Sequence, residues 1–304
     1  MHWFILALLA PLAWSIANYL DKYILSKSRG GEGGSGGLLI LSSVVSLVFA
    51  GALAGIFGQR LTADSQHAGA LVLSGMFEAL YILFYFFALE EESAATVISL
   101  FQFAPVFGLL FGYLVLGEVP TGLQLAAVAL VLAGTLCIVM KKEKGSRFNM
   151  NVVLLMLVST IFVAVYNTIF KLAGENIFFW TAVFWQYLGI GAVGFLLYFG
   201  VPSYRKQFHT MLVRRGAGVL ALTGTAELMN IAALVCTNAA VLLAPVALVL
   251  SVSSVQPIFV LIEGFLLIKL VPGFLAPEEH THLHLRYIFG IILVCIGGFL
   301  IYQG

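Results

Sequence analysis

Charge is scarce in this sequence. Of 304 residues only 10% are Asp, Glu, Lys or Arg, while 61% are hydrophobic. A water-soluble domain carries about a quarter charged residues, so the composition excludes an ordinary soluble fold and points to a membrane protein. The net charge of +1 leaves no broad basic surface, and no nucleic-acid partner is expected. Cysteine is equally sparse. Cys137, Cys236 and Cys295 fall inside apolar runs, with neither a disulfide framework nor metal-ligand spacing, and read as small core residues. The Walker phosphate-binding loop, the H-E-x-x-H zinc motif, paired aspartates inside apolar runs and a nucleophile beside an evident base are all missing. A membrane enzyme is therefore set aside, and neither a cofactor nor a metal is expected.

Long hydrophobic runs are what the sequence has in place of charge. A spanning helix needs about 20 mostly apolar residues. Ten stretches meet that measure, at about 3–25, 38–58, 68–89, 94–116, 121–140, 150–173, 177–199, 215–237, 243–269 and 285–303. Alternating barrel strands are absent, so the expected fold class is all-α, a polytopic membrane protein. The first run has only Met1 and His2 before Trp3 and is too long for a signal-peptide core, so it reads as a membrane helix. The glycine-rich stretch Ser28–Gly37 reads as a solvated linker, and Lys141–Gly145 as a charged joint.

The sequence repeats itself. Ala68–Glu78 matches Ala217–Glu227 at an offset of 149, with six of eleven residues identical. The same offset pairs Asn18 with Asn167, Lys22 with Lys171 and Gly51 with Gly200; Pro105 meets Pro257 after three extra residues. The chain thus divides into two five-helix repeats, 1–145 and 146–304. Five is odd, so the second repeat must enter the membrane upside down, and inverted repeats of this kind place a substrate between them. Thirteen of the fifteen Lys and Arg fall in loops on one side; the other side has Arg60 and Lys171. Taken alone, that bias places both termini outside the cytoplasm.

Each copy of the repeat carries one glutamate, Glu78 or Glu227, about halfway along its run. A charge at that depth costs roughly 2.5–3.5 kcal/mol on insertion scales, so such residues face a cavity and act as proton carriers or partners for a cation, or else stay protonated and hydrogen-bond neighbouring helices. Helical spacing puts Tyr81 and Tyr85 on the face of Glu78, and Asn230 on the face of Glu227. Trp14 and Asn18 share a face, as do Asn167 and Lys171; Gln102 lies near Pro105, and Gln256 adjoins Pro257 with Glu263 farther along. Substrate binding is accordingly expected at Trp14, Asn18, Glu78, Tyr81, Gln102, Asn167, Glu227, Asn230 and Gln256, around one central cavity. Proton coupling is expected at Glu78 and Glu227. Pro105 and Pro257 are expected hinges, because proline removes a backbone bond inside a helix. Trp14, Tyr81, Tyr85 and Tyr166 offer rings for an organic cation or an aromatic substrate. Gly51–Gly55 and Gly108–Gly112 have the spacing of close helix contacts, within the chain or across a homodimer. The His-rich stretch 278–284 has no fixed ligand spacing and reads as a solvated loop.

One further pattern runs through the first half: Pro105-Val106-Phe107, then Leu116-Gly117-Glu118, Gln124 and Gly134. The second half has Pro257-Ile258-Phe259 and Gly290 with Gly297-Gly298, but Ile268-Lys269-Leu270 in place of the Leu-Gly-Glu turn. This order and spacing resemble the EamA-type family of the drug/metabolite transporter superfamily. The resemblance implies a gradient-driven exporter or exchanger of a small polar or amphiphilic metabolite, such as an amino acid or organic cation. It also implies residence in a plasma or inner membrane with both termini cytoplasmic, against the Lys/Arg count. A facilitative channel or uniporter of the same fold is the alternative.

Overall fold

The computed structural model describes residues 2–26, 34–139, 149–214, 216–270 and 285–303. The repeat boundary at 145/146 and the His-rich stretch 278–284 lie outside the described residues. So do Lys27, Arg29, Lys141, Lys142, Lys144, Arg147 and Arg215 of the charge count. Helices are the only regular structure among the described residues. They are α1 (His2–Ser26), α2 (Ser35–Phe57), α3 (Ser65–Glu91), α4 (Ala94–Leu100), α5 (Ala104–Leu116), α6 (Gly122–Val139), α7 (Met150–Gly174), α8 (Phe179–Gly200), α9 (Pro202–Arg214), α10 (Gly216–Val241), α11 (Val246–Val252), α12 (Gln256–Leu270) and α13 (Leu285–Gln303).

Among the described residues, eight stretches are long and apolar enough to cross a membrane: six single helices, and the broken pairs Thr96–Leu116 and Val246–Leu270. Two apolar stretches are shorter, Gly122–Gly134 in α6 and Ile288–Leu300 in α13. The protein is therefore an all-helical, multi-pass membrane protein.

The two broken pairs interrupt at matching places. A 3₁₀ turn at Phe101–Phe103 separates α4 from α5, and another at Ser253–Val255 separates α11 from α12. Pro105 and Pro257 each stand second in the helix that follows. Proline fits a first helical turn, where its missing N–H has no intrahelical partner to lose. The prolines thus restart a helix after a short irregular turn.

The packing pairs corresponding helices of the two halves. α2 and α8 run antiparallel: Phe57 stacks on Trp180 at one end, and Ser43 meets Gly194 near the other. α6 and α13 also run antiparallel, with Gly134 against Gly290 and Ala127 against Gly297. α1 packs along α10, and its counterpart α7 packs along α3.

Helix α9 is a departure from the sequence reading, which places a loop there. Its Tyr204, Phe208 and Met211 recur at helical spacing, and Met211 is buried. It lies over the start of α2. Gly36 faces the Tyr204 ring, Gly37 abuts the backbone at Gln207–Phe208, and Gln207 Oε1 accepts from the Gly37 N–H at 3.1 Å. Ser35, Gly36 and Gly37 are therefore buried helix rather than the end of a solvated linker: the glycines are there because a Cβ would collide with α9. Of the two close-contact spacings, Gly108 packs on Ala247 and Leu250 of α11, while Gly51 and Gly55 face open space.

Candidate functional site

A central cavity opens among α1, α2, α3, α4, α8, α10 and α12, with about 750 Å³ of empty space, its mouth included. Of the residues expected to bind substrate, Trp14, Asn18, Glu78, Tyr81, Glu227, Asn230 and Gln256 line it. Gln102 and Asn167 do not. Both are buried and turn back on their own helices: Gln102 Nε2 donates to the Ile98 carbonyl at 3.3 Å, and Asn167 Nδ2 to the Val163 carbonyl at 2.8 Å. Helical spacing gives a residue's face but not whether its polar head reaches beyond its own backbone. Tyr166 is also buried outside the cavity and stacks on Tyr81 with ring centres 5.6 Å apart. Glu263 stands apart from the cavity lining, its Oε1 accepting from Ser15 Oγ at 2.8 Å.

The paired glutamates are held by helices of the opposite half. Gln186 Nε2, from α8, donates to Glu78 Oε2 at 2.8 Å. Gln186 Oε1 in turn accepts from Asn238 Nδ2 of α10 at 2.5 Å. Glu227 Oε1 accepts from Ser42 Oγ of α2, also at 2.5 Å. Glu78 is 3% and Glu227 5% exposed, and both carboxyls reach the cavity between buried helices. Hydrogen bonds to the carboxyl oxygens offset part of the cost of removing them from water.

A third acid completes the lining. Asp21 is 2% exposed, and its Oδ1 has no hydrogen-bond partner. One turn earlier, Asn18 Oδ1 accepts from Tyr85 OH at 2.8 Å, while Asn18 Nδ2 is unpartnered. Sequence reasoning missed Asp21 because it precedes Lys22, and the pair resembles a charged span end. Lys22 instead caps a turn, donating to the carbonyls of Leu89 at 2.6 Å and Glu92 at 2.5 Å. Gln186 and Asn238 were missed as well; for Gln186, the lone amide inside its apolar run was the available signal. Aromatic side chains supply much of the remaining wall: Trp14, Tyr81, Tyr85, Phe86, Phe101 and Tyr187. No Lys, Arg or His lines the cavity among the described residues.

Comparison with known proteins agrees with the resemblance read from the motifs. Residues 1–140 match the sequence profile of the EamA-like transporter family. A solved crystal structure, 17% identical, superposes with a TM-score of 0.62 over 95% of each chain, a likeness of fold. No curated protein matches the sequence. The fold and the apolar helices describe a multi-pass membrane protein, and its first 140 residues are similar to a transporter family.

Proposed function

We propose that this protein is a secondary transporter that moves a small amine-bearing organic cation across a plasma or inner membrane by alternating access. Its ten spans form two inverted five-helix repeats around the acidic cavity. The antiparallel packing of α2 on α8 and of α6 on α13 supports this topology, because inversion turns corresponding helices end for end. The matched pairings of α1 with α10 and α7 with α3 support it further. The broken pairs at Pro105 and Pro257 are the proposed hinges, since a 3₁₀ turn between half-helices absorbs backbone rotation with few bonds to break.

One observation carries the substrate class. Three carboxyls and several aromatic faces line a cavity with no basic side chain in its wall among the described residues. An ammonium group is stabilised there by charge and by ring faces. A free amino acid would bring a carboxylate with no cationic partner, so an amine is favoured over a zwitterion. Glu78 and Glu227 release protons as the cation enters and take them up as it leaves, which couples flux to the proton gradient.

Counterflow in proteoliposomes tests this reading. Unlabelled amine inside should accelerate uptake of labelled amine, and an imposed pH gradient should drive net flux. Glu78→Gln and Glu227→Gln should each abolish the pH-driven component while the protein still purifies as a folded species. Flux without trans-stimulation would identify a channel instead, and gradient-independent flux in wild type would remove the coupling role.

A further inference from the structure

The cavity contains more acid than a simple amine needs. Asp21 on α1, Glu78 on α3 and Glu227 on α10 all line it, and each is at least nine-tenths buried. A monocation compensates one of three carboxyls. The others would stay charged in a water-poor space, where an unpaired charge is costly, or be silenced by protons.

The three acids fall into two groups. Asp21 and Glu227 line the cavity from α1 and α10, which pack along each other. Glu227 is fixed by Ser42, whereas the Asp21 Oδ1 is unpartnered, with the unpartnered Asn18 Nδ2 one turn away on the same helix. Glu78 is fixed separately, through Gln186 to Asn238. Asn238 is eleven residues beyond Glu227 on α10, about 16 Å along the axis at 1.5 Å per residue. Glu227 and the residue that holds Gln186 therefore sit about three turns apart on α10. Tyr81 and Tyr187 line the same cavity as the three acids, so aromatic ring surface is available within it.

Building on the amine reading, we propose that the substrate is two-headed: a linear diamine with one ammonium at Asp21 and Glu227, the other at Glu78, and its alkyl chain along Tyr81 and Tyr187. Asp21 supplies the specificity. Its free oxygen is the acceptor left open for a second donor head, and Asn18 lies beside it. A diamine compensates two carboxyls at once and leaves one for a coupling proton.

The experiment uses purified full-length protein and two series of probes, the α,ω-diaminoalkanes and the n-alkylamines of equal carbon number. Affinity is measured by calorimetry and thermal shift. The diamines should show a length optimum, and at that length bind at least about tenfold tighter than the matching monoamine. Asp21→Asn should bring the diamine-to-monoamine ratio towards one. Wild-type protein binding both series equally, with no length optimum, overturns the two-headed site while leaving the amine reading intact. Binding of neither series overturns both. The wild-type length series decides the matter even if the Asp21 variant fails to fold.

Discussion

Gln186 bridges Glu78 and Asn238 through the two ends of one amide, its Nε2 donating at 2.8 Å and its Oε1 accepting at 2.5 Å. A single fully buried side chain on α8 thereby ties α3 to α10 and fixes the direction of a cavity acid. Replacing Gln186 with Leu keeps the volume and deletes both bonds. Two buried polar groups lose their partners, and the expected cost is about 2–4 kcal/mol, read as a fall in Tm of the detergent-purified protein. Adding Glu78→Leu to that variant should cost much less than the two single changes combined, because the stranded carboxyl is gone. Strictly additive losses would show that the amide bridge is not a coupled unit.

Gly75 and Gly224 hold the same place in the sequence repeat but not in the packing. A Cβ on Gly75 would collide with the backbone carbonyl of Gln186, whereas one on Gly224 meets open space. Gly75→Ala should push α8 away from α3, costing about 1–3 kcal/mol, and weaken amine binding by moving Gln186 off Glu78. Gly224→Ala should be neutral or stabilising by up to about 1 kcal/mol, since alanine favours a helix over glycine. Tm values of the two variants check this, and equal responses would mean that the α3–α8 contact does not limit packing.

The difference between these two glycines marks how far a sequence can be read. The duplicated motif was visible, and so was the acid at its end, because depth in an apolar run makes any charge conspicuous. The helix breaks were visible through Pro105 and Pro257. The unequal use of Gly75 and Gly224 was not visible, because it depends on which helix crosses at that level. Asp21 was hidden by its neighbour Lys22, since adjacent opposite charges look like a solvated end. Helix α9 was hidden by its polarity: thirteen residues with a narrow apolar face resemble a loop until something covers that face. Gln102 and Asn167 lie on credible faces and still bond to their own backbones, a choice that rests on side-chain reach rather than periodicity.

Lys22 and Lys171 are another repeat pair whose members have diverged. Lys22 donates to the carbonyls of Leu89 and Glu92, at the turn between α3 and α4. Lys171 does the same at the corresponding turn after α10, donating to the Ala244 carbonyl at 2.8 Å. Lys171 also pairs at 2.7 Å with Glu118 Oε1, in the turn between α5 and α6 of the other half. Both side chains are largely shielded, 13% and 20% exposed, and Glu118 Oε2 already lacks a partner. Lys171→Met therefore leaves a mostly buried carboxylate without a cation and a carbonyl without a donor. Its expected cost is about 2–4 kcal/mol, measured by thermal or denaturant unfolding in detergent. Glu118→Gln should cost less, about 1 kcal/mol, because its amide oxygen still accepts from Lys171. Combining the two changes should recover most of the Lys171→Met loss, since the carboxylate that the lysine compensated is then neutral. A double variant as unstable as the summed single changes would show that Lys171 acts only through the Ala244 carbonyl, and that the two halves are not joined by this pair.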